Sequence, residues 1–151
     1  MRVTMLLADA AQAINGKLYI LGGGWSIIGP DPVPSAIAIK IEVPWDEANK
    51  RHKLKLELVD ADGRPVTVPT PTGEKPVQLE GDFEVGRPPG LKPGTPLDMA
   101  MALNVGPFPF KPDSRLIWRL SIDGHTQDDW QLAFTTRQAQ LRPPSGGARC
   151  F

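Results

Sequence analysis

Two runs of the chain decide the fold: Ile37-Ala38-Ile39-Lys40-Ile41-Glu42-Val43 and, a few residues on, Lys53-Leu54-Lys55-Leu56-Glu57-Leu58. Successive side chains of an extended strand point to opposite faces. The first run therefore sets four β-branched residues on one face and Ala38, Lys40 and Glu42 on the other. The second sets three leucines against Lys53, Lys55 and Glu57. Both have a period of two. If the two strands pair antiparallel, Glu42 comes beside Lys53 or Lys55 on the wet face, worth at most about 1 kcal/mol.

The same period recurs on both sides of this pair. Val66 and Val68 resume it after Asp60-Ala61-Asp62-Gly63, which reads as a hairpin turn. Val77, Leu79, Phe83 and Val85 alternate with Gln78, Glu80, Asp82 and Glu84, with Gly81 at a core-facing position that suits a bulge. Met99, Met101, Leu103 and Val105 follow. Leu116, Trp118, Leu120 and Ile122 then turn around Asp123-Gly124 into Trp130, Leu132 and Phe134 as a second hairpin. At the start, Val3, Met5 and Leu7 suggest a strand, and Asn15-Gly16 is the strongest hairpin signal in the chain. Asp9 to Ala13 has helical propensity and competes with the end of that first strand. Trp45 to Arg51 invites one short polar helix, with Asp46 and Lys50, and Glu47 and Arg51, at i, i+4.

The expected fold is all-β: a single-domain antiparallel β-sandwich of about eight or nine short strands with minimal helix. The domain is expected over residues 1–137, and residues 138–151, free of acids, as a loose, mildly basic tail. Length agrees, since 151 residues suit one domain. Glycine 15 and proline 17 are high for a domain, and they fall mostly between the alternating runs, where they act as turn punctuation.

Charge excludes more than it suggests. Lys plus Arg and Asp plus Glu are each 17, so the formal net charge is zero and bulk attraction to nucleic acid is not expected. Lys50-Arg51-His52-Lys53 with Lys55 is a small basic cluster beside Trp45, offset by Asp46, Glu47 and Glu57. It reads as a solvated face. No run approaches the roughly 20 apolar residues of a membrane span. The uncharged stretch Val3 to Ala8 is too short for a signal peptide. The single cysteine, Cys150, excludes an intrachain disulfide, and a reducing cytoplasm is the expected setting.

Motifs that would carry chemistry stop short. Gly22-Gly23-Gly24-Trp25-Ser26 lacks the lysine and the following helix of a phosphate loop, and suits a bend at a strand end. Asp60-Ala61-Asp62-Gly63 has a proline, Pro71, where a calcium loop closes with glutamate. His125 with Asp128 and Asp129 would need His52 from a distant loop to assemble a zinc site. No G-x-S-x-G occurs, and Glu80, Asp82 and Glu84 read as a charged strand face that deters edge pairing. No catalytic residue, metal or cofactor is expected.

The aromatic residues remain. Trp118 and Trp130 fall on inward faces, whereas Trp25, Trp45, Phe108 and Phe110 fall in or beside loops. There they either cap the sandwich ends or form a contact surface for a protein partner or a second copy. The expected function is that of a non-enzymatic interaction or assembly module, a homo-oligomer or the binder of a protein partner, with neither nucleic acid nor membrane involved. The alternative is a small-ligand or carbohydrate-binding sandwich using the loop tryptophans.

Met1-Arg2-Val3-Thr4-Met5-Leu6-Leu7-Ala8-Asp9, followed by Gly16-Lys17-Leu18-Tyr19-Ile20-Leu21-Gly22-Gly23-Gly24, resembles the opening of a family of small uncharacterised bacterial proteins of actinobacterial type. The likeness continues through Val59 to Gly63 toward the final strands. It implies a cytosolic all-β protein of unknown role, and it brings no catalytic residues with it.

Overall fold

Ile37, Ile39, Ile41 and Val43 are fully buried, and so are Leu56, Leu58 and Leu120. In the computed structural model, which describes residues 1–138, they meet across the space between two sheets. Eleven strands are present among the described residues: β1 (Arg2–Ile14), β2 (Lys17–Gly23), β3 (Ile27–Ile28), β4 (Ser35–Val43), β5 (Arg51–Asp60), β6 (Thr67–Thr70), β7 (Gly73–Pro76), β8 (Gln78–Glu84), β9 (Leu97–Val105), β10 (Arg115–Ile122) and β11 (Gln131–Thr136). The first sheet has the order β2-β1-β4-β9 and the second β3-β11-β10-β5-β8, while β6 and β7 form a separate ribbon. All pairings are antiparallel except the short β3–β11 contact. The chain is all-β, and the two main sheets enclose one core in a sandwich-like arrangement.

The expected β4–β5 pair does not form. β4 pairs with β1 and β9, and β5 pairs with β10 and β8 in the other sheet. Side by side, the isoleucines and leucines would share one face and still need a lid. In opposite sheets each row covers the other, burying both. Glu42 accordingly faces Arg2 at 3.5 Å. Lys53 and Lys55 lie opposite Asp82 and Glu80 on β8.

Other expectations shift in detail. β1 stays extended through Asp9 to Ala13, because pairing with β2 overrides a weak helical propensity. The segment from Trp45 makes only a single 3-10 turn, Trp45–Glu47, before Asn49 at φ 59° leads into β5. Gly81 sits in unbroken register opposite Leu54, so there is no bulge. Leu79 shares the inner face yet is exposed, since β8 is the sheet edge. The strand from Arg64 to Val68 leaves the hairpin after Val66, whose amide still donates to the Leu58 carbonyl, and joins β7 across a turn at Thr70–Gly73, which adds the extra strands. Almost all of the expected tail, including Cys150, lies outside the described residues.

A second, thinner apolar layer lies on the outer side of the first sheet. Ala8, Ala36 and Ala38 are buried there with Ala11, and Leu18, Ile20 and Ala102 pack against them. Regular β1–β2 pairing breaks at Asp9 and Gly22, where Gly22 takes φ 60°. Beyond the break the distal hairpin, from Ala10 to Leu21, folds over the sheet toward β9, and Asn104 donates a hydrogen bond to the Ala11 carbonyl at 3.1 Å. Alanines on the sheet let the hairpin come this close. The φ of 60° favours glycine at position 22, and a Cβ there would lie 2.7 Å from Asp9 Cγ, so that the exposed Asp9 side chain would have to swing aside.

Candidate functional site

The four loop aromatics are placed at opposite ends of the sandwich. Ser35 pairs with Val105 at one end of β4 and Val43 with Leu97 at the other. Phe108 and Phe110 follow the first of these ends, and Trp45 follows the second. Phe110 contacts Phe108 (centroids 4.7 Å apart) and Phe134 (5.3 Å), and Trp25 stands edge-on to Phe134 at 6.4 Å. Trp25, Phe108 and Phe110 are all half-buried against the main core and plug one end of it. Trp45 lies alone at the far end, half-buried, with the Arg87 guanidinium 4.7 Å from its ring centre and donating to its carbonyl. Beside it is an open depression of about 800 Å³ lined in part by Met1, Arg2, Glu42 and Asp46.

His52 and Asp123 form a polar pair at the margin of the main core. His52 is 2% exposed and tilted against Phe83 at 5.2 Å. Its Nδ1 is 2.7 Å from Asp123 Oδ2 and its Nε2 2.9 Å from the Glu47 carbonyl. A carbonyl can only accept, so Nε2 carries a proton, and the carboxylate draws a second onto Nδ1. Burial pushes the imidazolium pKa down, but the bonds to Asp123 and to the Glu47 carbonyl outweigh it and leave the pKa above its ordinary 6.5. The bond from His52, with one from the Lys53 amide, holds the Asp123 carboxyl below its usual value. With both nitrogens engaged, the ring is a clasp that ties the Trp45 turn and the β10–β11 connection to β5. It offers no lone pair to a metal or a proton.

The other polar motifs are similarly occupied. Asp60 Oδ1 accepts from the Asp62 and Arg64 amides at 2.9 Å each, so this carboxylate holds its own turn. Glu57 accepts from Arg119 Nη2 at 2.9 Å. Glu80, Asp82 and Glu84 stand opposite Lys55, Lys53 and Arg51, which places the acidic strand and the basic cluster side by side. His125, Asp128 and Asp129 are exposed, and among the described residues no three His, Cys, Asp or Glu side chains gather to hold a metal ion. No helix there is long and apolar enough to cross a membrane.

The most exposed large apolar residue among the described residues is one that sequence inspection passed over. Leu21 on β2 is 71% exposed and its neighbour on the same face, Tyr19, 54%. They alternate with Leu18 and Ile20, which pack down onto the alanine layer. β2 is also the outermost strand of its sheet. The Asn15-Gly16 turn, with φ 52° and 74°, is the tight two-residue type whose flanking residues, Ile14 and Lys17, exchange both bonds. Alternation then turns the backbone groups of Lys17, Tyr19 and Leu21 toward β1 and those of Leu18 and Ile20 toward the open edge. Tyr19 and Leu21 line a shallow depression with Ala10, Gln12 and Asn104. A signal was there to be read: Leu18-Tyr19-Ile20-Leu21 is apolar on both faces, whereas a strand with one wet face alternates with polar residues.

The profile of a family of unknown function, DUF6941, matches residues 3–135. The chain belongs to the DUF6941 family. The match spans β1 to β11 almost completely, so the hairpin with Tyr19 and Leu21, the His52 clasp and the aromatic plug all lie within it. Comparison with curated proteins and with solved structures found no match.

Proposed function

We propose that this DUF6941 protein is a non-enzymatic interaction or assembly module that acts by self-association or through a protein partner. The observation that carries the proposal is the outward face of the hairpin, where Tyr19 and Leu21 stand exposed beside an unpaired strand edge. Extended chains add to such edges through main-chain bonds, and alternate side chains supply selectivity. The polar groups best placed for chemistry, His52, Asp123, Asp60 and Glu57, are engaged in holding the fold, which also favours this reading. The setting that goes with it is the cytoplasm of a bacterium, without cofactor, nucleic acid or membrane. Native mass spectrometry of the purified full chain tests the proposal. Dimers or a stoichiometric bound protein are expected, and a bare monomer at every concentration, with nothing bound, overturns it.

A second reading, a small-ligand or carbohydrate site, is favoured by the depression beside Trp45 and the cation stacked on that ring. It predicts a saturable change in tryptophan fluorescence on sugar titration that Trp45→Phe removes.

A further inference from the structure

We infer that β2 pairs antiparallel with β2 of a second copy, about a two-fold axis at Ile20. The inference rests on the interaction reading above and names its occupant. Ile20 presents its N–H and C=O to the open edge, so two copies exchange both bonds at this residue. In that register Tyr19 of each copy lies opposite Leu21 of the other, and Leu18 lies opposite Gly22. Directly opposed side chains in such a pair stand about 4.5–5.5 Å apart between Cβ atoms. The two most exposed apolar residues of the strand therefore cover each other twice. The register centred on Leu18 does not do this: it sets Tyr19 against Lys17 and leaves Leu21 in water.

Charge points the same way. Lys17 is the only charged residue of β2, and the register places it opposite Gly23, so no like charges meet. A formal net charge of zero leaves little long-range repulsion between copies. The β8 edge of the second sheet behaves oppositely. Two β8 strands centred on Gly81 would set Glu80 against Asp82 twice. On β9, the other edge of the first sheet, the exposed residues are Asp98 and Asn104, with no large apolar side chain left open. The contact joins two four-stranded sheets into one of eight strands. Its few side chains fall short of the roughly 800 Å² per partner of a standard interface, so the dimer is reversible, with a dissociation constant on the order of micromolar.

Sedimentation velocity of the full chain from about 1 μM to about 1 mM brackets that range. A concentration-dependent dimer is expected for the wild type. Leu21→Lys and Tyr19→Glu should each weaken it at least about tenfold, one decade being about 1.4 kcal/mol, with the circular dichroism spectrum unchanged. The double variant Y19E/L21K places opposite charges at facing positions and should recover the dimer. A wild type that is monomeric throughout, a Leu21→Lys chain that dimerises as well as the wild type, or a folded double variant that stays monomeric each overturns the two-fold pairing. A monomeric wild type that binds a purified protein, and loses it on Leu21→Lys, overturns the pairing while the interaction reading stands.

Discussion

The two apolar layers of this protein are built from different residues and do different things. Between the sheets, Ile37, Ile39 and Ile41 face Leu54, Leu56, Leu58 and Leu120, long branched side chains that interlock and are almost wholly buried. On the outer side of the first sheet, Ala8, Ala36 and Ala38, with Ala102 of β9 beside them, receive only Ala11, Leu18 and Ile20 from the folded-over hairpin. The first layer has enough area to hold the fold. The second is thin, and it spends one face of β2 while leaving Tyr19 and Leu21 on the other in water. A strong core thus carries a lightly attached arm, and the arm presents the surface proposed for recognition.

Perturbing each layer in turn sharpens this contrast. Leu56→Ala removes a fully buried side chain from the main core and should cost about 2–5 kcal/mol of global stability, read as a drop in the denaturation midpoint at unchanged m-value. Gly22→Ala acts on the arm. It strains a residue at φ 60° and drives its Cβ into Asp9, and a loss of about 1–3 kcal/mol is expected. Hydrogen exchange should show that loss concentrated in residues 9–23, with the amides of β5 and β10 little changed. Equal deprotection of both regions would mean that the two layers form one cooperative unit.

Asp123→Asn tests the polar clasp at the margin of the main core. It should cost roughly 1–2 kcal/mol, the range for a charge-assisted bond discounted because Asp123 is partly exposed. Its pH dependence follows from the shifts. The His52 pKa is raised above 6.5, so its stabilisation is present below that value and lost as pH rises through the folded pKa. The Asp123 pKa is lowered below 3.8, so its stabilisation is present above that value and lost as pH falls through the folded pKa. The difference between wild type and Asp123→Asn in urea melts should therefore be largest between about pH 4 and 6.5 and shrink on both sides. A difference that grows above pH 8 would contradict a charged His52. The smallest stability effect belongs to Leu21→Lys, under about 0.5 kcal/mol, because that side chain touches little in the single chain. An unfolding midpoint lowered as much as by Gly22→Ala would show that Leu21 packs onto the arm and does not await a partner.

Much of this was legible in the residues. Alternation at Ile37–Val43, Leu54–Leu58 and Leu116–Phe134 identifies the core rows, and the tight turns at Asn15-Gly16 and Asp123-Gly124 mark two hairpins that the structure contains. The inward place of Trp118 and Trp130 follows from the same period. The candidate surface was less legible. Loop position singled out Trp25, Trp45, Phe108 and Phe110, and three of these pack together around Phe134 while the fourth lies at the other end. Tyr19 and Leu21 make β2 apolar on both faces, which is legible, but a strand's pattern does not say whether it lies at the edge of its sheet.

The sequence by itself determined that the chain is all-β, which residues share a face, and where the principal turns fall. These are local properties, governed by the two-residue period and by backbone conformations that glycine and asparagine reach most readily. Only the tertiary structure decided which strands are neighbours, and so that β4 and β5 lie in opposite sheets and that His52 meets Asp123 across 71 positions of chain. It alone placed β2 at an edge with one face buried on alanines and the other open. Alternation marks a face as apolar, but what covers that face depends on chain segments far away in sequence, and covering each row costs least when the rows cover one another.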